Sequence, residues 1–281
     1  MMKKFTCGAG YALFLIFYLN SLTLLGEGFS GVAGARQAGM GKCPAALSGF
    51  WCVSNNPAGM AVIQQYGFGI SYENPYNIPG LGIKQVGAAV PLKSGVLGLA
   101  LTHFGNSLYG EMKTGLSYAM SFGDHFRAGV RLDYLLLSLG NGYGSRSAIT
   151  FDAGIQVHLT GQVVLGIWVF NPINVRLSRE TGFRLPVVVR MGFVWAVSEK
   201  LVAVCEVEKN SAFHKIVIRA GAEYLLPGGF AARCGSSTGG EMFSLGFGWL
   251  KGLFRLDIAG AMNQALGISS QLSFILNFRR R

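Results

Sequence analysis

The chain has 281 residues, of which 51% are apolar and only 13% charged, with 41 glycines and a formal net charge of +11. So few charges at this hydrophobicity exclude intrinsic disorder, and no apolar run of about 18 residues after residue 26 excludes a bundle of membrane-crossing helices. The basic residues are dispersed singly apart from Arg279, Arg280 and Arg281, which argues against nucleic acid as a partner and for anionic lipid headgroups.

In chain order, Lys3 and Lys4 precede a mostly apolar stretch from Tyr11 to Leu25, followed by the small residues Gly26, Gly28, Ser30 and Gly31. This is the pattern of a secretory signal peptide, assigned to residues 1–28 with cleavage within 26–31. Cys7 leaves with it. Cys43 and Cys52 are close enough in sequence to be bridged or to remain free thiols, whereas Cys205 and Cys234 fall in separate strand patterns and are expected not to pair.

Residues 29–65 break from any alternation and are rich in Gly, Ala, Asn and Pro. Left in water, their Phe50, Trp51, Met60, Val62 and Ile63 would cost roughly 1.5–3 kcal/mol per large side chain. The segment is therefore expected to fold back as a plug into the remainder of the chain.

Residues 66–281 alternate with period two. Leu272, Phe274, Leu276 and Phe278 oppose Gln271, Ser273, Ile275 and Asn277; Phe126, Ala128, Val130 and Leu132 oppose Arg127, Gly129, Arg131 and Asp133. Fourteen strands are predicted, near 66–73, 83–92, 95–104, 111–122, 126–138, 147–159, 163–171, 184–197, 201–209, 215–226, 230–236, 241–250, 253–261 and 269–278. Most have 9 to 12 residues, near the 9–11 that a tilted strand needs to cross a bilayer, and an even number lets the sheet close without edges. Tight turns after even strands (Lys93-Ser94, Pro227-Gly228-Gly229, Lys251-Gly252) alternate with mostly longer connections after odd ones. Short periplasmic turns and longer outer loops are the habit of outer-membrane barrels, and Tyr66, Tyr72, Phe122, Phe126, Trp195, Trp249 and Phe278 near strand ends suit interfacial girdles. The fold class expected is an all-β, 14-stranded antiparallel transmembrane barrel of the bacterial outer membrane with an N-terminal plug.

The set facing away from lipid is small on strands 1–3 and 12 (Gly67, Gly69, Gly87, Gly98, Ser244, Gly246) and charged on strands 5–10. The plug is expected to lean on the small wall. On the inner face a polar network is predicted from Arg131, Asp133, Asp152, Arg190, Glu206, Arg219, Arg255 and Asp257, with Asp133 opposite Asp152, Arg131 and Arg190 as their neighbours, and Glu206 paired with Arg219. Paired carboxylates can serve acid–base chemistry, but neutralised pairs that stiffen the wall fit these neighbours better. The four His are scattered, no nucleophile or phosphate motif occurs in context, and neither cofactor nor metal is expected. Arg146, Arg176, Arg179, Arg184, Lys209 and Lys215 gather at the outer end, as either a solvated rim or a site for lipopolysaccharide phosphates. Pro91 and Pro186 mark where a ladder could open sideways.

The run Gly34-Ala35-Arg36-Gln37-Ala38-Gly39-Met40-Gly41, with Asn56-Pro57-Ala58-Gly59-Met60 before the first strand, resembles the long-chain fatty-acid transporters of the outer membrane (FadL-like) and their PorV/PorQ-like relatives. The resemblance implies a fourteen-stranded barrel whose N-terminal hatch carries the Asn-Pro-Ala motif, here Asn56, Pro57 and Ala58, with Gly59 beside it. The short outer loops lack the insertions that form an external hydrophobic site in the fatty-acid transporters. The expectation therefore leans to the PorV/PorQ-like side, a non-enzymatic barrel that supports protein export or surface display with secretion-system partners. The alternative is a passive channel for small hydrophobic compounds.

Overall fold

The computed structural model describes residues 27–141, 144–177 and 182–278. Nearly all of the expected leader, the three terminal arginines and Arg179 lie outside the described residues.

Fourteen strands are present: β1 (Tyr66–Asn74), β2 (Ile83–Pro91), β3 (Val96–Gly105), β4 (Tyr109–Phe122), β5 (Phe126–Leu139), β6 (Gly144–His158), β7 (Val163–Phe170), β8 (Val188–Ala196), β9 (Leu201–Asn210), β10 (Ile216–Leu225), β11 (Phe230–Ser237), β12 (Glu241–Lys251), β13 (Phe254–Asn263) and β14 (Gly267–Phe278). Each pairs antiparallel with its neighbours, and β1 closes on β14 from Tyr66↔Phe278 to Asn74↔Ser270, giving a closed barrel. The alternation decides the faces. On β1, Tyr66, Phe68, Ile70 and Tyr72 are exposed while Gly67, Gly69, Ser71 and Glu73 are buried. The same inversion, apolar outside and polar inside, holds for Val130, Leu132 and Tyr134 against Arg131 and Asp133 on β5, as a lipid-bathed barrel requires.

Residues 29–63 lie in the bore. Short helices α1 (Glu27–Ser30) and α2 (Ala35–Gly39) precede two 3₁₀ turns, Phe50–Val53 and Pro57–Val62. Met40, Trp51, Val53, Ala58 and Met60 are almost fully enclosed. Phe50 rests on Gly67 and Gly69 of β1 and Gly87 of β2, Met60 on Gly98 of β3, and Gly39 on Gly246 of β12, all on the small wall.

The segment also touches the charged wall, which the sequence did not lead one to expect. Pro57 and Ala58 lie against Gly129 of β5, Asn56 against Gly154 of β6, Ala45 against Gly166 of β7, and Met40 and Gly41 against Gly221 of β10 and Gly235 of β11. The reason is local: Gly129 stands two positions from Arg131, Gly154 two from Asp152 and Gly221 two from Arg219 and Glu223, on the same face. Each charged strip therefore carries a notch where another backbone can approach.

The two prolines part company. Pro91 pairs with Val96 beside the β2–β3 turn and opens nothing. Pro186 lies in the connection after the short β7, which ends at Phe170 opposite Asp152 while β6 runs on to Gly144. The described residues of that connection pack inward on the apolar side chains of the bore. Leu177 and Leu185 are buried, and the Asn171 amide donates to the carbonyls of Leu185 (2.9 Å) and Pro186 (3.2 Å). The predicted start of this strand at 184 moves to Val188 accordingly.

Candidate functional site in the bore

The Asn-Pro-Ala motif is a clip. Asn56 caps the second 3₁₀ turn by accepting from Ala58 N (3.1 Å), and Pro57 takes the first helical position, where a missing N–H costs nothing. The Asn56 Nδ2 donates to Ala45 O at 2.6 Å and reaches the wall at Ile167 O (3.2 Å) and Ile155 O (3.4 Å). Gly59 is needed because a Cβ there would meet Leu47 O at 2.8 Å and Cys52 Sγ at 2.5 Å. Cys43 and Cys52 are free thiols in separate packing clusters, so the bridge left open by the sequence does not form.

The predicted polar network resolves into separate groups. In the first, the strand register sets Arg131 opposite Asp152 and Asp133 opposite Thr150. Contrary to the expectation from the sequence, the two aspartates therefore do not face one another but flank one guanidinium. Arg131 Nε binds Asp133 at 3.0 Å, its Nη2 binds Asp152, and its Nη1 reaches out to Val53 O of the lumenal segment (3.0 Å). Lys113 Nζ completes the group, 3.4 Å from Asp133 and 3.5 Å from Asp152. Arg190 does not belong here. It joins a second group, bound to Glu208 at 2.6 Å and sharing it with Arg219 at 2.9 Å. Glu206 stands opposite Arg219 as predicted, 3.7 Å away, and accepts Ala45 N at 2.7 Å.

In the third group Arg255 binds Asp257 (2.9 Å), Arg233 joins Asp257 (2.8 Å) to Glu223 (2.6 Å), and Arg36 of α2 closes on Glu223 (2.5 Å). Lys42 reaches Glu73 (2.8 Å) and Glu241 (3.1 Å). The reading of the sequence missed Lys113, Arg233, Arg36 and Lys42. The parity of Lys113 with Gly115 and Ser117, and of Arg233 with Gly235, was the signal available for the two on strands.

Beside the apolar contacts of the lumenal segment around Phe50 and Met40, the bore holds an apolar cluster built mainly from the wall itself. Leu135 and Leu137 of β5, Trp168 and Phe170 of β7 and Val188 of β8 point inward in the long-loop half of the barrel and pack with Leu177, Leu185 and Phe29. Cations border it: Lys113 Nζ lies 4.4 Å from the Phe170 ring centre and the Arg190 guanidinium 4.7 Å from that of Trp168.

The basic residues of the long-loop end are only partly available. Arg176 and Arg184 face one another across an isolated bridge, Arg184 donates to Asn174 O (2.9 Å), and Lys209 holds its own loop through Phe213 O (2.9 Å) and His214 O (2.8 Å). Lys215 is exposed and Arg146 half-buried.

No family model and no curated protein sequence matches this chain. Solved structures do match it. The monoaromatic hydrocarbon channel CymD is similar over 90% of this chain and 99% of its own, with a TM-score of 0.67 at 14% identity. The toluene transporter TbuX of Ralstonia pickettii gives 0.67 at 13% identity over 89% of this chain and all of its own, and a FadL homologue of Pseudomonas aeruginosa 0.66 at 12% over 88% and 98%. The fold is thus the closed fourteen-strand antiparallel barrel of FadL-like outer-membrane proteins. At these identities the likeness is one of fold.

Proposed function

We propose that this protein is a non-enzymatic passive channel of the bacterial outer membrane for small hydrophobic compounds. The observation that carries the reading is the apolar cluster of Leu135, Leu137, Trp168, Phe170 and Val188 inside a bore whose other inward positions are mostly glycine, small polar residues and ion pairs. Apolar side chains on the inner wall of a polar bore are the lining expected of a ligand site. The similar fold of a monoaromatic hydrocarbon channel and of toluene transporters supports it. The export or display role first expected from the sequence gives way to its own alternative, which the similar folds of channels for hydrophobic compounds favour. In this reading residues 1–28 are a leader, 29–65 a plug and 66–281 the barrel, with the barrel's short turns in the periplasm. The exposed Arg176, Arg184 and Lys215 are proposed to meet lipopolysaccharide phosphates.

The test is uptake of radiolabelled toluene by vesicles whose outer leaflet is lipopolysaccharide. Faster uptake with the barrel than without it is expected, and equal rates refute the reading.

A further inference from the structure

The apolar cluster is occupied, and its occupant is part of the chain. Phe29 is buried in it at 3% exposure. The backbone carbonyls of Phe29 and Ser30 are each held by a cation stacked on one of the pocket's rings. Lys113 Nζ, over Phe170, donates to Phe29 O at 2.9 Å; Arg190 Nη2, on the Trp168 side, donates to Ser30 O at 2.9 Å. The Trp168 indole Nε1, also buried here, has no hydrogen-bond partner among the described residues. The pocket thus offers an aromatic ring slot and a surplus of donors.

Formal charge decides which acceptor suits those donors. Lys113 and Arg131 are matched by Asp133 and Asp152, and Arg190 and Arg219 by Glu206 and Glu208, so each group is neutral as it stands. A carboxylate placed at the carbonyl positions would add one buried charge beside two groups that are already balanced, which is costly without a counter-ion of its own. A pure hydrocarbon would leave the lysine and arginine N–H groups that now bind carbonyls without partners, which is also costly. A neutral carbonyl oxygen satisfies both constraints, as the amide carbonyls of Phe29 and Ser30 do.

We propose that Phe29–Ser30 stands in for a ligand and that the pocket is a binding site for neutral aromatic compounds bearing a carbonyl oxygen, such as aryl ketones, aldehydes and esters. This rests on the channel function proposed for the barrel and narrows its substrate class. Lys113 and Arg190 are its specificity-determining residues, Trp168 and Phe170 its ring slot.

The test is calorimetric binding of three probes of similar size, acetophenone, toluene and benzoate, to the detergent-solubilised full-length barrel and to its Phe29→Ala variant. That variant vacates the slot without removing a charge. It should bind every probe that fits more tightly than the native chain does. It should also prefer acetophenone over toluene by about tenfold, the scale of one hydrogen bond to a charged donor, and over benzoate by at least as much. Lys113→Met in the Phe29→Ala background should reduce the acetophenone-to-toluene ratio toward one, with heat-modifiable migration confirming a closed barrel. The proposal is overturned if the Phe29→Ala variant binds toluene as tightly as acetophenone, or prefers benzoate, or binds none of the three. Toluene uptake by the lipopolysaccharide vesicles separates the failures: uptake without carbonyl preference sinks the carbonyl site alone, and absence of both uptake and binding sinks the channel function with it.

Discussion

Replacing Asn56 with alanine tests whether the Asn-Pro-Ala clip holds the lumenal segment. The change removes a cap, worth about 1 kcal/mol, and strips Ala58 N and the wall carbonyls of Ile155 and Ile167 of their side-chain partner. Ala45 O keeps the Gln156 amide, at 3.3 Å. Buried polar groups left unpaired add about 1–3 kcal/mol, so local undocking should become easier by about 2–4 kcal/mol. The reporters are Cys43 and Cys52, which are 2% and 1% exposed. Burial pushes the Cys52 thiol up to about 12, so while docked it has almost no reactive thiolate. In a chain with Cys7, Cys205 and Cys234 changed to alanine, maleimide labelling reads segment opening. Its rate should rise roughly 30-fold to 1000-fold in Asn56→Ala, the range set by that free energy. Gly154→Ala should act the same way without touching Asn56, because its new Cβ would fall on the Asn56 amide. Labelling as slow as in the parent, with the barrel still closed, would show that the motif does not hold the segment.

Arg131→Met should destabilise the barrel by about 3–5 kcal/mol, since it leaves Asp133 and Asp152 buried with only Lys113 between them. Adding Asp152→Asn should recover part of that loss, both measured by denaturant unfolding in detergent. Leu132, 59% exposed near the middle of β5, faces lipid. Leu132→Arg should cost about 2–4 kcal/mol for a barrel refolded into bilayers, and a neutral effect there would contradict the inside-out assignment of faces.

Strand parity carried most of the fold, because each face meets a different solvent and a shift by one residue would exchange lipid for lumen. It did not carry register in steps of two. Asp133 facing Asp152 and Arg131 facing Asp152 keep the same faces, and only the turn between β5 and β6 distinguishes them. Nor did it show which inward residues share a group: Arg190 and Asp152 lie on different strands, and the intervening β7 places Trp168 beside Arg190. The apolar cluster was legible and overlooked. Leu135 and Leu137 continue the inward parity of Arg131 and Asp133, and Trp168 and Phe170 that of Gly166, but an expectation of a polar bore passed over them.

The ion pairs bear on how anything passes the segment in the bore. Buried ion pairs contribute little net stability over an apolar core, and their best-attested use is to fix register and arrangement. Here three groups do this for the segment as well as the wall. Arg131 holds Val53 O, Glu206 holds Ala45 N, and Glu223 holds Arg36. Withdrawing residues 36–59 as a unit would break all three contacts at once and would part Arg36 from Glu223 and Lys42 from Glu73 and Glu241, a cost of several kcal/mol for the ion pairs broken. Phe29 and Ser30 differ. The cations that hold their carbonyls remain matched by acids after the carbonyls leave, so this end can yield to a ligand that restores two hydrogen bonds while the rest of the segment stays docked. Selectivity in such a bore belongs to the residues that touch this end, Lys113, Arg190, Trp168 and Phe170, rather than to wholesale movement of the segment.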